Sequence, residues 1–471
     1  MRSTDARRGE LLGPDPHAAS AAELLRAYGD GALRVFPQLM AVPWLPKPLL
    51  DALVRRRRAR LVRRAFADVP YYRALYRGAG FDERRVASAE SFAQLPLLTK
   101  GALKSDGSAM LSRRAPSASR LLERRSSGST GSPVRVFFDP LMELPRRAQE
   151  LRVLAAHGVR PWHTQLVLDA PAHMAPRPFL MQRLGVWRRI PYPVWLSPEA
   201  ALDEVERLAP DVVHGVLAGV RMLALAAEAR GGFRFRPHRI LTRGELLDSQ
   251  TRWFIENALG APVVDFYATE ETGMIAWECP SRSGYHIDTD LVFVEIVRED
   301  GSPAPAGEVG EIVLTNLYQH TQPIIRYRVG DLGAIERSPC PCGRSLPLLT
   351  QLRGRKLDFL ITPAGELRDP FRVMAVFEHV SGVRWFRVTQ LELDRVDVAL
   401  GYESGLTSEE KRATHRHILR ELSELLGADM KFEVRDAGEF KVEIGEKAPL
   451  VKGLGSQSLE ELARRGYTPR V

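Results

Sequence analysis

Apolar and polar positions change rhythm twice along this chain. Residues 1 to about 95 read as mainly helical in an Arg- and Ala-rich background. From about 120 to 355, short apolar runs alternate with amphipathic stretches, the pattern of an α/β domain. Leu166–Asp169 and Pro262–Asp265 predict buried strands, and Glu204–Leu208 and Asp248–Leu259 predict helices. The most apolar helical stretch, Val212 to Ala229, is interrupted by His214, Arg221 and Glu228 and is short for a bilayer span, so no membrane segment is expected. Past Gly354 and Arg355 the rhythm changes again. Val383–Leu400 alternates at period two, as paired strands do, Thr407–Leu426 is an amphipathic helix, and Lys431–Arg435 is a further strand. Such a module of about a hundred residues is close to the smallest usual domain.

Composition narrows the class. The 471 residues suffice for a large domain and a smaller one, and 44% hydrophobic with 27% charged residues is ordinary for a folded soluble chain. The net charge of +9 comes from 67 Lys and Arg against 58 Asp and Glu. Much of it lies in the run Arg55, Arg56, Arg57, Arg58, Arg60, Arg63 and Arg64, read as a solvated helix face because no nucleic-acid module accompanies it. A basic excess also suits an enzyme that attracts polyanionic nucleotides. The first residues lack the apolar core of a secretory signal, so a cytoplasmic location is expected. Nothing in the sequence specifies the oligomeric state; a homodimer is compatible with it.

Two stretches carry candidate chemistry. Ser126-Ser127-Gly128-Ser129-Thr130-Gly131-Ser132-Pro133 is too small and polar to pack as an element. Its glycines free the backbone to aim N–H groups at an anion and its hydroxyls add donors, although a flexible linker has a similar composition. It lacks the Gly-Lys-[Ser/Thr] ending of a P-loop. The only three cysteines are Cys279, Cys340 and Cys342, and His286 follows the first. Three thiolates and an imidazole make a closed tetrahedral Zn²⁺ set of the structural kind; the alternative is three reduced thiols, some buried as small hydrophobes.

Four further stretches follow the Ser/Gly loop in order: Gly244-Glu245, Tyr267-Ala268-Thr269-Glu270-Glu271-Thr272-Gly273, Tyr327-Arg328-Val329-Gly330-Asp331 and Gly354-Arg355-Lys356-Leu357-Asp358. Together they resemble the motif series of the adenylate-forming superfamily of acyl-CoA synthetases. Pro70–Arg73, Leu95–Lys100, Gly307–Val313 and Pro323–Tyr327 narrow the resemblance to the phenylacetate–CoA ligase family, over about residues 65 to 450. It implies a layered α/β adenylation domain over 1–357 and a small mobile α+β lid over 358–471, with Asp358 as hinge. It also implies ATP-dependent conversion of a carboxylic acid, aromatic or arylacetic, to an acyl-adenylate, followed by transfer to coenzyme A. An amine or a carrier protein is the alternative acceptor, and a non-catalytic nucleotide- or nucleic-acid-binding protein is a distant one.

On this resemblance, Ser126 to Gly131 hold the β- and γ-phosphates of ATP, and Glu271 binds Mg²⁺. Gly244, Glu245 and Tyr267 line the adenine pocket, Asp331 accepts from the ribose hydroxyls, and Arg355 reaches the ribose or phosphate side. Gly445–Val451 resembles the family's Gly-Lys segment, which makes Lys447 the catalytic lysine, with Lys441 and Lys452 as alternatives. The chain departs from the family pattern at Ala268, in place of Gly, and at Glu270, in place of Thr, which adds a negative charge beside the phosphates. The loop also lacks the common lysine after its proline; Arg135 is the nearest cation. Trp187, Tyr192, Trp195 and Phe266 are candidates for the acid pocket or, equally, for the core.

Overall fold

A computed structural model of the chain describes residues 37–82, 91–117, 121–125, 134–139, 143–169, 182, 184–193, 198–336, 339–355, 359–368, 370–377, 380, 382–402, 405–438 and 450–454. The helices are α1 (Lys47–Asp68), α2 (Pro70–Gly78), α3 (Lys100–Ser105), α4 (Glu143–Ala156), α5 (Pro198–Leu208), α6 (Leu217–Ala229), α7 (Ser249–Leu259), α8 (Pro370–Ala375) and α9 (Ser408–Leu426). Two short strands, β1 (Leu122–Arg125) and β2 (Arg135–Phe138), pair antiparallel. An eleven-stranded sheet follows, made of β3 (Gln165–Asp169), β4 (Arg189–Pro193), β5 (Val212–Val216), β6 (Arg239–Arg243), β7 (Val263–Thr269), β8 (Gly273–Glu278), β9 (Tyr285–Ile287), β10 (Val292–Val297), β11 (Gly310–Asn316), β12 (Tyr327–Glu336) and β13 (Leu348–Arg355). Its order is β10-β11-β12-β13-β9-β8-β7-β6-β5-β3-β4; pairing is parallel from β4 to β7 and antiparallel from β7 onward.

The parallel half is covered on both faces, as crossover helices require. Successive strand residues point to opposite sides. Val212, Leu241 and Val264 pack in one cluster with α1, α2 and α4, while Val213, Ile240 and Val263 pack in another with α5, α6 and α7. The expected strands at Leu166–Asp169 and Pro262–Asp265 and helices at Glu204–Leu208 and Asp248–Leu259 lie within observed elements of the same type. Asp248 caps α7 by accepting from the Thr251 amide at 2.9 Å, and Gly260 ends it in the left-handed region. The expected helix over Val212–Ala229 is corrected: its first five residues are β5, buried between two strands, and the helix begins at Leu217. An apolar strand running straight into an apolar helix leaves no break in hydrophobic pattern to read.

The C-terminal module is α+β, as expected. Strands β14 (Leu360–Ile361) and β15 (Leu367–Arg368) pair, and β16 (Val383–Glu392), β17 (Arg395–Tyr402), β18 (Lys431–Asp436) and β19 (Val451–Lys452) form a sheet of order β18-β17-β16-β19. Helix α9 opens with a full capping box, Thr407 and Glu410 each satisfying the other's backbone N–H, and buries Ile418, Leu422 and Leu426 in a core separate from the large domain's. Leu246, just past β6, packs against this module, and Arg384 reaches back to α6, donating to Glu228 at 2.8 Å and to the Leu225 carbonyl at 2.6 Å. No helix among the described residues is long and apolar enough to cross a membrane.

The arginine run is only partly a solvated face. Arg55, Arg56, Arg60, Arg63 and Arg64 are exposed on α1. Arg58 instead lies over the rings of Phe92 and Phe293, at 4.7 and 4.3 Å from their centroids, and Arg57 donates to the carbonyl of Asp290. Asp290 and Asp288 are fully buried and share the buried Arg152, which also donates to the Leu39 carbonyl. Trp277 Nε1 and Gln149 Nε2 donate to Asp288 as well, at 3.2 and 3.3 Å. Two carboxylates and two guanidiniums thus fasten α1 and α4 to the segment between β9 and β10. Arg152→Met is expected to cost about 3–5 kcal/mol in urea unfolding, because it strands two buried carboxylates; a loss below about 1 kcal/mol would show that they find other partners.

Candidate active site

The carboxyl ends of β3, β5, β6 and β7 point one way, and in open α/β sheets the space beyond such ends is where ligands sit. Gly244 leaves β6 with φ +92°, a conformation costly for any residue with a Cβ, and Glu245 and Leu246 follow. Gly354, at the end of β13, would bring a Cβ to 3.5 Å of Leu246, so the segment after β6 lies beside the end of β13. Strand β12 carries Asp331 into register with Arg355 of β13. The side chain of Arg355 is outside the described residues, as are Ser126 to Gly131, Asp358 and Lys447. Arg125 and Arg135, which flank the Ser/Gly stretch in sequence, are paired in the β1–β2 ladder.

Strand β7 ends at Thr269, and the turn to β8 holds Glu271. Thr269 Oγ1 lies 2.9 Å from Thr272 Oγ1 and accepts from the Thr272 amide, while Asn316 and Tyr318 donate to the Thr272 carbonyl. Gly273 leaves the turn with φ +78°, and a Cβ there would sit 3.1 Å from Arg146 Nε. Backbone freedom and space both call for glycine.

The antiparallel half of the sheet curls so that β12 comes back over this turn. Tyr267 Oη donates to Asp331 Oδ2 at 2.6 Å, and Tyr327 Oη donates to Glu271 Oε1 at 3.2 Å. All four side chains are buried or nearly so. Gly244, Glu245, Tyr267, Glu271 and Asp331 therefore gather in one region. Tyr327 lies in the Tyr-Arg-Val-Gly-Asp stretch, and only the pairing distance reveals what its hydroxyl touches. The aromatic candidates do not gather. Phe266 sits in the core edge-to-face with His214, Trp187 and Tyr192 pack against clusters on opposite faces of the sheet, and Trp195 is outside the described residues.

The four cysteine and histidine candidates do meet. One ligand atom from each of Cys279, His286, Cys340 and Cys342 lies within 4.8 Å of the others. Cys279 Sγ is 3.4 Å from Cys340 Sγ, and His286 Nε2 is 3.1 Å from Cys342 Sγ. Sulfurs about 3.8 Å apart are what a tetrahedral zinc with bonds of about 2.3 Å requires, so the donor set fits such an ion. His286 Nδ1 is 3.4 Å from the Leu346 carbonyl, which leaves Nε2 to face the thiols. Burial holds the imidazole neutral, its pKa lowered to about 4, and pushes the Cys340 thiol up to about 11 in the absence of a cation.

Between this cluster and the strand ends lies Asp265, fully buried on β7. It accepts from Thr242 Oγ1 at 2.7 Å and Tyr285 Oη at 2.9 Å, and its own amide donates to Glu278, which pairs with Arg252 at 2.8 Å. Burial raises its pKa from 3.8 to about 7, against the pull of those two hydroxyls. A carboxyl whose folded pKa is raised gives stability below its unfolded pKa and loses it as pH climbs through the folded one. Unfolding free energy of the protein is therefore expected to fall between pH 4 and 7, by up to about 1.4 kcal/mol per unit, relative to Asp265→Asn. Parallel stability curves for the two proteins would remove Asp265 as the cause.

No family model matches the chain. It is 28% identical over 332 residues to the phenylacetate-coenzyme A ligase of Thermus thermophilus, which covers 67% of this chain and 73% of the relative. It is 27% identical over 325 residues to that of Aromatoleum evansii, covering 66% and 72%. Among solved structures, 2-hydroxyisobutyryl-CoA ligase in the postadenylation state superposes with a TM-score of 0.74 at 19% identity, over 91% of this chain and 94% of that one. Relatives and fold agree with the order of motifs: the chain is similar to phenylacetate–coenzyme A ligases over two thirds of its length and shares the fold of an adenylate-forming CoA ligase.

Proposed function

We propose that this protein activates a carboxylic acid with ATP and passes the acyl group to coenzyme A, releasing AMP and pyrophosphate. The observation that carries this reading is the pair of crossed hydrogen bonds that brings Glu271 and Asp331 into one region. Each is hydrogen-bonded to a tyrosine four positions away from the other. Four residues of strand span roughly 13 Å, enough to hold a nucleotide by its ribose at one end and its phosphates at the other. Asp331 accepts from the ribose hydroxyls, Gly244 and Glu245 bound the base, and the Ser/Gly loop with Arg355 takes the phosphates. Glu271 holds Mg²⁺, a hard cation that neutralises charge on phosphate oxygens.

In the first step a carboxylate oxygen of the acid forms a bond to the α-phosphorus as the bond to pyrophosphate breaks. Lys447, carried by the C-terminal module, counters the charge that builds there. In the second, the thiol sulfur attacks the acyl carbon, AMP departs with the bonding pair, and the thiol proton goes to solvent. The module acts as a lid hinged near Asp358, taking Lys447 away between the steps. Its contacts through Leu246 and Arg384 are of the small, partly polar kind that can be exchanged. The relatives' names favour an aromatic or arylacetic acid. Acid-dependent ATP–pyrophosphate exchange over a panel of aryl and short-chain acids is expected, with an acyl-CoA product when coenzyme A is added. Lys447→Ala is expected to reduce exchange at least about 100-fold. Exchange without a thioester would move the acceptor to an amine or carrier protein, and absence of Mg·ATP binding would overturn the reading.

The cysteine–histidine cluster is proposed as a structural Zn²⁺ site, closed by four protein donors and so offering no position for substrate. A cytoplasmic setting keeps its thiols reduced and available to metal. Elemental analysis of the purified protein is expected to find close to one zinc per chain, and Cys342→Ser to lose it together with thermal stability. Protein without zinc that is equally stable would leave the cluster as buried thiols.

A further inference from the structure

A buried tyrosine hydroxyl needs a partner, and one with a single proton to give fixes the oxygen that receives it. At this site two such hydroxyls cross. Tyr267 of β7 donates to Asp331 of β12 at 2.6 Å, and Tyr327 of β12 donates to Glu271, just past β7, at 3.2 Å. Each of the two chain segments supplies one carboxylate and braces the other segment's. Tyr327 is held at its other side by the chain: its backbone bridges Leu98, and its ring packs with Leu103, Met110, Val136 and Ile324. Tyr267 is equally fixed, in the core inside the curled sheet. Packing thus fixes both phenols, and each hydroxyl meets its carboxylate from a set position.

We propose that Tyr267 and Tyr327 are positioning residues, Tyr267 setting Asp331 for the ribose hydroxyls and Tyr327 setting Glu271 for the divalent cation. This rests on the nucleotide-site reading above and assigns Tyr267 a task besides bounding the base. An ionised carboxylate has lone pairs enough to accept from a phenol and still bind ribose or metal. The brace removes the rotamer freedom that ligand binding would otherwise have to freeze.

Calorimetric titration of the full-length protein with Mg·ATP tests this without knowledge of the acid. Tyr267→Phe is expected to weaken Mg·ATP binding about 3- to 10-fold, and Mg·2′-deoxy-ATP binding by a smaller factor. Added to Asp331→Asn it should cost nothing further. Tyr327→Phe is expected to raise the Mg²⁺ concentration for half-maximal ATP binding about 3- to 10-fold, with metal-free ATP binding unchanged. Phe variants that bind both nucleotides and Mg²⁺ like wild type would overturn the inference. So would variants that only melt earlier, showing a purely structural pair. Wild-type protein that does not bind Mg·ATP would overturn the nucleotide-site reading itself, a result visible before any variant is made.

Discussion

Eleven strands are close to the limit of what an open twisted sheet holds. Each strand adds right-handed twist, and open sheets of more than about ten strands curl, split or flatten. Here Tyr267 of β7 reaches Asp331 of β12, four strands away in the sheet order, so the antiparallel half curls back toward β7. The parallel half is pinned by helices on both faces, so the antiparallel half has to bend, and it bends until β12 lies over the turn after β7. Every other feature of the site follows from that closure. Tyr267 reaches Asp331, and Tyr327 reaches Glu271, although three strands, β8, β9 and β13, lie between β7 and β12 in the sheet order.

The polar groups sealed inside tell the same story from the side of energy. Buried charge is costly unless paired, and it is paired here at the joints between layers rather than at random. Arg152 with Asp288 and Asp290 ties helices to the antiparallel half. Asp265, Glu278, Arg252, Thr242 and Tyr285 form a second network across four neighbouring strands, β6 to β9, and its tyrosine is adjacent to His286 of the cysteine–histidine cluster. Polar groups that can be satisfied in only one arrangement disfavour competing registers, so these networks specify the sheet's alignment as well as stabilising it.

Elements whose pattern changes at their own boundaries were legible in the sequence. The amphipathic stretch Thr407–Leu426 announces α9, Asp248–Leu259 announces α7, and alternation over Val383–Leu400 announces β16 and β17. Where one apolar element runs into the next, as at Val216 and Leu217, periodicity alone could not divide them. Arg57 and Arg58 look like neighbours of exposed arginines because their partners, Asp290 for Arg57 and Phe92 and Phe293 for Arg58, lie outside their helix and far along the chain. An ordered series of motifs was legible in the sequence, and Gly244, Tyr267, Glu271 and Asp331 from it gather in one region. The crossing of two tyrosines between strands was not, since hydroxyl pairing depends on the curl and no local spacing encodes it. The cysteines were legible by chemistry, because thiol and imidazole donors are few enough to count.

Strands β9 and β13 touch over only two residue pairs, Leu348 with His286 and Leu349 with Tyr285. That is the narrowest join in the large sheet among the described residues, and the cysteine–histidine cluster sits beside it, with Cys279 and His286 on one side and Cys340 and Cys342 on the other. A short ladder has little cooperative resistance to opening. The cluster therefore sits like a rivet through a seam, drawing together the two sides of the sheet between the strand that carries Asp331 and the strand that carries Tyr267.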